Sequence, residues 1–227
     1  PWQDHFVDEG RKDYLVSDVF VNALIGSGTN VAPEDPRLSK FADVSTSSST
    51  YVGAPYGKSN SATANYSFIT SNIITVGDAP LMIYTYAEVL FARAEAAAKG
   101  WTTENAATLY AQAITASMQQ WGVAATDIST YIAANPYTGI ADIAYEKWVS
   151  LYMQGYNSWA EWRRFKAEGT DSRIPLIIAA DLLSNATGIP QRHGYSATAG
   201  SLNEVNYNAA IAAQGPDELD TKLWLFK

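Results

Sequence analysis

The sequence predicts a mostly α-helical protein in which helical hairpins adjoin a loop-rich region with little β structure. Three observations carry that prediction. From residue 80 to residue 168, apolar side chains recur at three- and four-residue intervals between glycine stop signals. Residues 1–79 instead hold turn formers such as Gly26-Ser27-Gly28-Thr29-Asn30 and Gly53-Ala54-Pro55-Tyr56-Gly57. Across 227 residues, 47% are apolar and only 17% charged, with 7 Trp, 14 Tyr and 7 Phe, which is enough to build a sizeable core.

Within the loop-rich third, Leu15, Val16, Val19, Phe20 and Ala23 fall at helical spacing across residues 13–24, and Gly26 follows as a stop. After Ala79-Pro80, the residues Ile83, Tyr86, Ala87, Leu90, Ala94 and Ala97 mark one face of a helix that ends near Lys99-Gly100. Thr102 or Thr103 is placed to cap a second helix through Ala106, Leu109, Tyr110, Ala113, Ser117 and Trp121, with Gly122 closing it. The small residues let the two helices approach closely while Tyr110 fills the gap, the spacing of a tetratricopeptide unit, which requires stacked neighbours. A third helix is expected over 138–154 through Ile140, Ile143, Ala144, Trp148, Leu151 and Tyr152, with Gly155 as its stop. Ser158 and Glu161 form the pattern of a capping box for a fourth over 157–168. Residues 174–178 and 188–192 are expected to pair as an irregular ribbon. Ser201 and Glu204 repeat the capping pattern before a helix to Gln214, stopped by Gly215-Pro216.

A net charge of −8, with no clustered cation, argues against a nucleic-acid partner. The absence of cysteine removes disulfides, thiolate metal sites and a cysteine nucleophile. His5 and His193 lie outside any zinc-binding pattern, Gly194-Tyr195-Ser196-Ala197-Thr198 lacks the second glycine of a nucleophile elbow, and Gly26-Ser27-Gly28 lacks the remainder of a phosphate loop. No metal, cofactor or enzymatic activity is therefore expected. Glu88, Glu95, Glu146 and Glu161 fall on helices, where pairing with neighbours such as Arg93, Lys147, Arg163 and Arg164, or capping, is the expected role. Tyr86, Tyr110, Trp148 and Tyr152 read as core. Tyr51, Tyr56, Tyr66 and Phe68 lie among Gly, Ser and Asn, where a ring either pins its own loop or presents a flat apolar face beside polar groups, as a sugar requires. Tyr51, Tyr56 and Tyr66, with Trp2, are the candidate ligand-binding residues.

Glu146-Lys147-Trp148, Leu151-Tyr152-Met153-Gln154-Gly155 and Trp159-Ala160-Glu161-Trp162-Arg163-Arg164 resemble the SusD/RagB-like nutrient-binding lipoproteins of Bacteroidetes, in the branch called starch-binding and associating with the outer membrane. Asp35-Pro36-Arg37, Tyr51-x-Gly53-x-Pro55-x-Gly57, Ile189-Pro190-Gln191-Arg192, Glu204-x-x-Tyr207-Asn208 and Lys222-Leu223-Trp224 extend the likeness in family order. His193-Gly194-Tyr195-Ser196 stands where the family usually has Tyr-Pro. The resemblance implies a C-terminal half: residues 1–79 on the ligand side, 80–168 as tetratricopeptide-like scaffold, and 169–227 as ribbon, helix and tail. It implies non-catalytic binding of an oligosaccharide or other nutrient at the surface of the cell outer membrane. It also implies delivery to a TonB-dependent SusC-like transporter and lipid anchoring through an N-terminal half outside this chain. A helical glycoside hydrolase and a tetratricopeptide scaffold that binds protein are the alternatives. The longest apolar runs fall well short of a bilayer span.

Overall fold

Ser17 sets the start of the first long helix: its side chain accepts a hydrogen bond from the Phe20 amide, and α1 (Asp18–Ile25) runs from there to Gly26, whose φ of 82° closes it. The computed structural model describes residues 2–11, 14–26, 34–56, 62–175 and 188–224, and its architecture is mostly helical. Helix α1 starts later than the apolar spacing predicts. The residues before it run extended, with Leu15 bridged to Phe68 and Ser17 to Ala54. A third bridge joins Ala42 to Ile69, and among the described residues these isolated bridges are the β structure. The segments approach so closely at Gly53 that a Cβ there would lie 2.3 Å from the Asp18 Cα, so only glycine fits.

Thr85 caps α2 (Tyr86–Ala98) by accepting from the Glu88 amide. Ala87, Leu90 and Ala94 are buried as the pattern predicts, joined by Phe91, but Ile83 and Tyr86 are exposed. Ile83 precedes the helix and Tyr86 begins it on the outer side, so Tyr86 is not core. The cap of α3 (Ala106–Gln120) is Asn105, accepting from the Thr108 amide at 2.9 Å, rather than Thr102 or Thr103. Ala94 and Ala113 are fully buried, and Tyr110 fills the space around them. Helix α4 (Ala125–Ala134) was not marked by the sequence: it opens without a side-chain cap and buries only Ile128 and Tyr131.

Helices α5 (Ile140–Ser150) and α6 (Gly155–Glu168) depart from expectation at their junction. Gly155 opens α6 instead of stopping α5, and Met153 takes the left-handed position in the intervening turn, at φ 66°. Ser158 consequently lies inside α6, its amide donating to the Gln154 carbonyl at 2.9 Å. The expected Ser158–Glu161 capping box does not form, and Glu161 turns to Lys147 and Arg164.

One apolar cluster fills α2–α4 and the start of α5. A second gathers Val16, Leu24, Leu38, Phe41 and Ile69 against Tyr145 and Val149 of α5. Phe41 stacks on Tyr152 at 4.2 Å between centroids and meets Trp121 edge-on at 4.9 Å. Trp148 and Tyr152 are partly buried against this cluster. The loop-rich segments are thus a packed layer.

Pro1–Leu176 forms one unit and Ile177–Lys227 another. The second holds a short helix, Ala199–Leu202, and α7 (Glu204–Gln214). Ser201 sits inside the short helix, and Asn203 precedes α7 without a side-chain cap, so the second expected capping box is absent too. The Gln191 amide donates to the Leu219 carbonyl at 2.7 Å, and Arg192 pairs with Asp217 at 3.0 Å. Of the ribbon expected over 174–178 and 188–192, residues 176–178 lie outside the described residues, and residues 174, 175 and 188–192 form no strand or bridge. Among the described residues no helix is long and apolar enough to cross a membrane, and no group of three His, Asp or Glu is arranged to hold a metal ion.

Candidate functional site

Tyr51 and Tyr66 lie on adjacent extended segments, held together by the Ser67 amide donating to the Val52 carbonyl at 2.7 Å and the Val52 amide donating to Ser67 Oγ at 3.1 Å. Tyr51 is half-buried against the second apolar cluster, Tyr66 is half-buried, and Tyr56 is exposed. Among the described residues none of these rings stacks on another. Burial, then the charges of Glu34 and Asp43, pushes the Tyr51 hydroxyl above its ordinary range. Burial, then Asp18, does the same to Tyr56. Both therefore stay protonated near neutrality and can donate to a ligand oxygen.

Trp2 occupies a different place. It packs beside Phe6 at 6.0 Å and edge-on to Tyr14 at 5.5 Å, and it borders a cavity of about 320 Å³. Trp121, Met153 and Leu81 supply apolar wall, while Lys40, Asn72 and Gln120 supply polar groups. A flat, mostly apolar wall with a few polar side chains at this volume is the usual make-up of a small-molecule site. The Trp121 Nε1–H is buried and has no acceptor among the described residues. By its spacing Trp121 belongs to a buried helical stripe. Its position one residue beyond the end of α3, where a ring can turn away from the hairpin, is the signal that distinguishes it.

A buried charge network ties the segment that carries Lys40 to the helices. Arg37 is fully buried and grips Asp35 with Nε at 3.0 Å and Nη2 at 2.6 Å. The same guanidinium reaches Ser117 Oγ of α3 at 3.1 Å and Glu146 Oε2 of α5 at 2.6 Å, and the Tyr131 hydroxyl donates to Glu146 Oε1 at 2.7 Å. Burial opposes the charge on Arg37, but Asp35 and Glu146 outweigh it and hold the guanidinium protonated. Burial pushes Glu146 upward, Arg37 pulls it back, and Asp35 pushes it further. Lys40 and Phe41 follow directly on this anchor, so the loop edge of the cavity is tied to the helices. Glu146 thus pairs with a residue far away in the chain, not with a sequence neighbour as expected.

Glu95 and Glu161 pair both within their own helices and with neighbouring ones. Glu95 accepts from Arg164 Nη2 at 2.7 Å and Lys99 Nζ at 2.7 Å, and Glu161 accepts from Arg164 Nη2 at 2.7 Å and Lys147 Nζ at 2.9 Å. Burial disfavours ionisation of both, yet these bonds outweigh it and hold both carboxyls below their ordinary range. Arg93 pairs with Glu104, and Arg163 lies over the Trp159 ring.

Compared with known proteins, residues 1–213 match a family model, SusD-like, described as starch-binding and associating with the outer membrane. No curated protein matches. Among solved structures, a SusD homologue from Bacteroides fragilis superposes with TM-score 0.75 at 20% identity, over 94% of this chain and 52% of that one. A SusD-like protein from Bacteroides thetaiotaomicron gives 0.70 at 23%, over 91% and 49%. A chitin-binding SusD homologue from Flavobacterium johnsoniae gives 0.71 at 20%, over 94% and 49%. At these identities the likeness establishes the fold, and the chain spans about half the length of each.

Proposed function

The chain belongs to the SusD-like family, described as starch-binding and associating with the outer membrane, and from that premise we propose that it captures an oligosaccharide at the outer-membrane surface without chemical turnover. The observation that carries this reading is the cavity between Trp2 and Trp121, whose ring faces are accompanied by Lys40, Asn72 and Gln120. A pyranose presents axial hydrogens on one face and hydroxyls at its rim, and each stacked ring contributes on the order of 1 kcal/mol. Tyr51, Tyr56 and Tyr66 extend the binding surface with hydroxyl donors. Two proteins of this fold with solved structures are chitin-binding, which supports a glycan as cargo.

The remaining roles follow from the family. The captured glycan passes to a TonB-dependent SusC-like transporter, and an N-terminal half carries the lipid anchor and further helical units. The half-length coverage of the related structures supports that arrangement. The groove along α2 and α3, lined by Tyr86, Ala107, Ala111 and Thr115, is the face on which such units stack.

Isothermal titration with a panel of neutral oligosaccharides tests the reading. Binding without release of reducing ends is expected, and alanine at Trp2, Tyr51, Tyr56 or Tyr66 should each weaken it several-fold. Release of reducing ends would make the protein a glycosidase, and binding to no glycan would leave a protein-binding scaffold. If all four rings can be truncated with less than a twofold change, the site lies elsewhere.

A further inference from the structure

Trp2 and Met153 border two cavities. Besides the one of about 320 Å³ that also meets Trp121 and Gln120, both residues line a second cleft of about 400 Å³. Phe20 of α1, Trp148 of α5 and Tyr152 supply rings to this second cleft, and Ser17 and Ser158 supply hydroxyls. None of the described residues that line it is charged. Ser17 Oγ accepts from the Phe20 amide and keeps its own O–H to donate. Flat apolar walls with a few hydroxyls and no ion suit an uncharged ring that carries hydroxyls at its rim.

The two cavities share more than two residues. Trp121 meets Tyr152 at 6.0 Å between centroids, Tyr152 stacks on Phe20 at 5.2 Å, and Phe20 meets Trp148 edge-on at 5.3 Å. A continuous row of rings therefore leads from the wall of the first cavity to the wall of the second. The Tyr152 hydroxyl donates to the Phe41 carbonyl at 2.8 Å and pins the row. Rings fixed in this way before a ligand arrives leave little ordering to be done on binding. Met153, at the junction, holds a left-handed backbone with φ 66°. That conformation costs a non-glycine residue free energy, and such residues cluster at ligand clamps.

We propose that the second cleft is a further sugar subsite, joined to the first cavity past Trp2 and Met153, so that the ligand is a linear, neutral oligosaccharide longer than a disaccharide. The inference rests on the reading of the first cavity as a sugar site and adds to it the length of the chain and the path that it follows.

Titration of the full chain with maltose and maltotetraose, and with the dimer and tetramer of N-acetylglucosamine, reads chain length directly. In at least one series the tetramer should bind about fivefold more tightly than the dimer, the gain expected from one further stacked ring. Ser158→Phe puts a ring into the second cleft, and it should remove that advantage while leaving dimer affinity within twofold of the native chain. Gln120→Ala alters the first cavity and not the second, so it should weaken dimer and tetramer by the same factor. Thermal melts establish that each variant is folded. If Ser158→Phe does not fold, the smaller Ser158→Leu obstructs the same cleft, and the contrast between dimer and tetramer in the native chain decides without either. Equal affinity for dimer and tetramer overturns the subsite and leaves the first cavity standing. A tetramer advantage undiminished in folded Ser158→Phe does the same, by placing the extra rings elsewhere. Loss of dimer binding in that variant also overturns the proposal, by making the second cleft the primary site. Binding by neither series at any length removes the reading of the first cavity and this inference with it.

Discussion

Arg37 and Arg164 each sit between carboxylates, yet they work under opposite conditions. Arg37 is sealed from solvent and joins residue 35 to residues 117 and 146, drawing the loop segment onto α3 and α5. Arg164 keeps about 30% of its side chain exposed and ties α6 to α2 and to its own neighbours Glu161 and Glu168. In the interior each ion has surrendered its water, so the network is stable only while every member is present. At the surface, water takes over when a partner is removed, and the pair contributes little. The same chemistry therefore fastens two layers together in one place and trims a helix surface in the other.

Breaking the inner network should have the largest effect. Arg37→Ala leaves two buried carboxylates facing an empty space and should cost about 3–5 kcal/mol, read from urea unfolding. Arg37→Lys should recover little, because one ammonium cannot reproduce the two-pronged grip on Asp35 while reaching Glu146. Tyr131→Phe removes a single hydrogen bond to Glu146 and should cost about 1.5–3 kcal/mol with an unchanged denaturant slope. Arg164→Ala should cost less than about 1 kcal/mol and leave glycan affinity within twofold of the native chain. Lost binding at unchanged stability would contradict its structural role.

The smallest effect is a pH dependence, and its sign separates the two clusters. Glu95 and Glu161 ionise more readily in the folded chain than in the unfolded one. The stability they contribute is complete above the ordinary value near 4.5 and declines as pH falls through their lower folded values. Glu146 is shifted upward, so its contribution is present below that ordinary value and declines as pH rises through its folded one. Melting temperatures should fall from about pH 5 to pH 3, and Glu95→Gln with Glu161→Gln should flatten that decline. A decline of undiminished slope in the double variant would place the acid-labile groups elsewhere.

Local signals were legible where local forces decide. The apolar faces of α2 and α3 emerged from spacing because both helices bury a continuous stripe, and Gly26 and Gly100 marked helix ends because left-handed backbone favours glycine there. The capping patterns at Ser158 and Ser201 misled because a serine three residues before a glutamate does not set where a helix begins. The turn through Met153 and Gln154 fixes the start of α6, and its first residue is Gly155. Helix α4 stayed hidden because two buried residues in ten make too thin a stripe. Trp121 continues the apolar spacing of α3, so only the fold shows that it borders the same cavity as Trp2. The reach of Arg37 to Glu146 was invisible, since 109 residues separate them and only the fold brings them together.

The three isolated bridges impose an order of assembly. Helices α2 and α3 are consecutive, so their contacts form after closing a short turn, whereas Leu15 meets Phe68 only after the whole intervening chain has been gathered. The hairpin is thus the early partner and the woven layer the late one. Amides that hold the weave, such as those of Val16 and Ala54, should exchange with solvent deuterium sooner than those inside α3. The woven layer is then the last part of this unit to acquire its shape and the first to lose it, so proteolytic nicking of a partly unfolded chain should begin there while the hairpin is still intact.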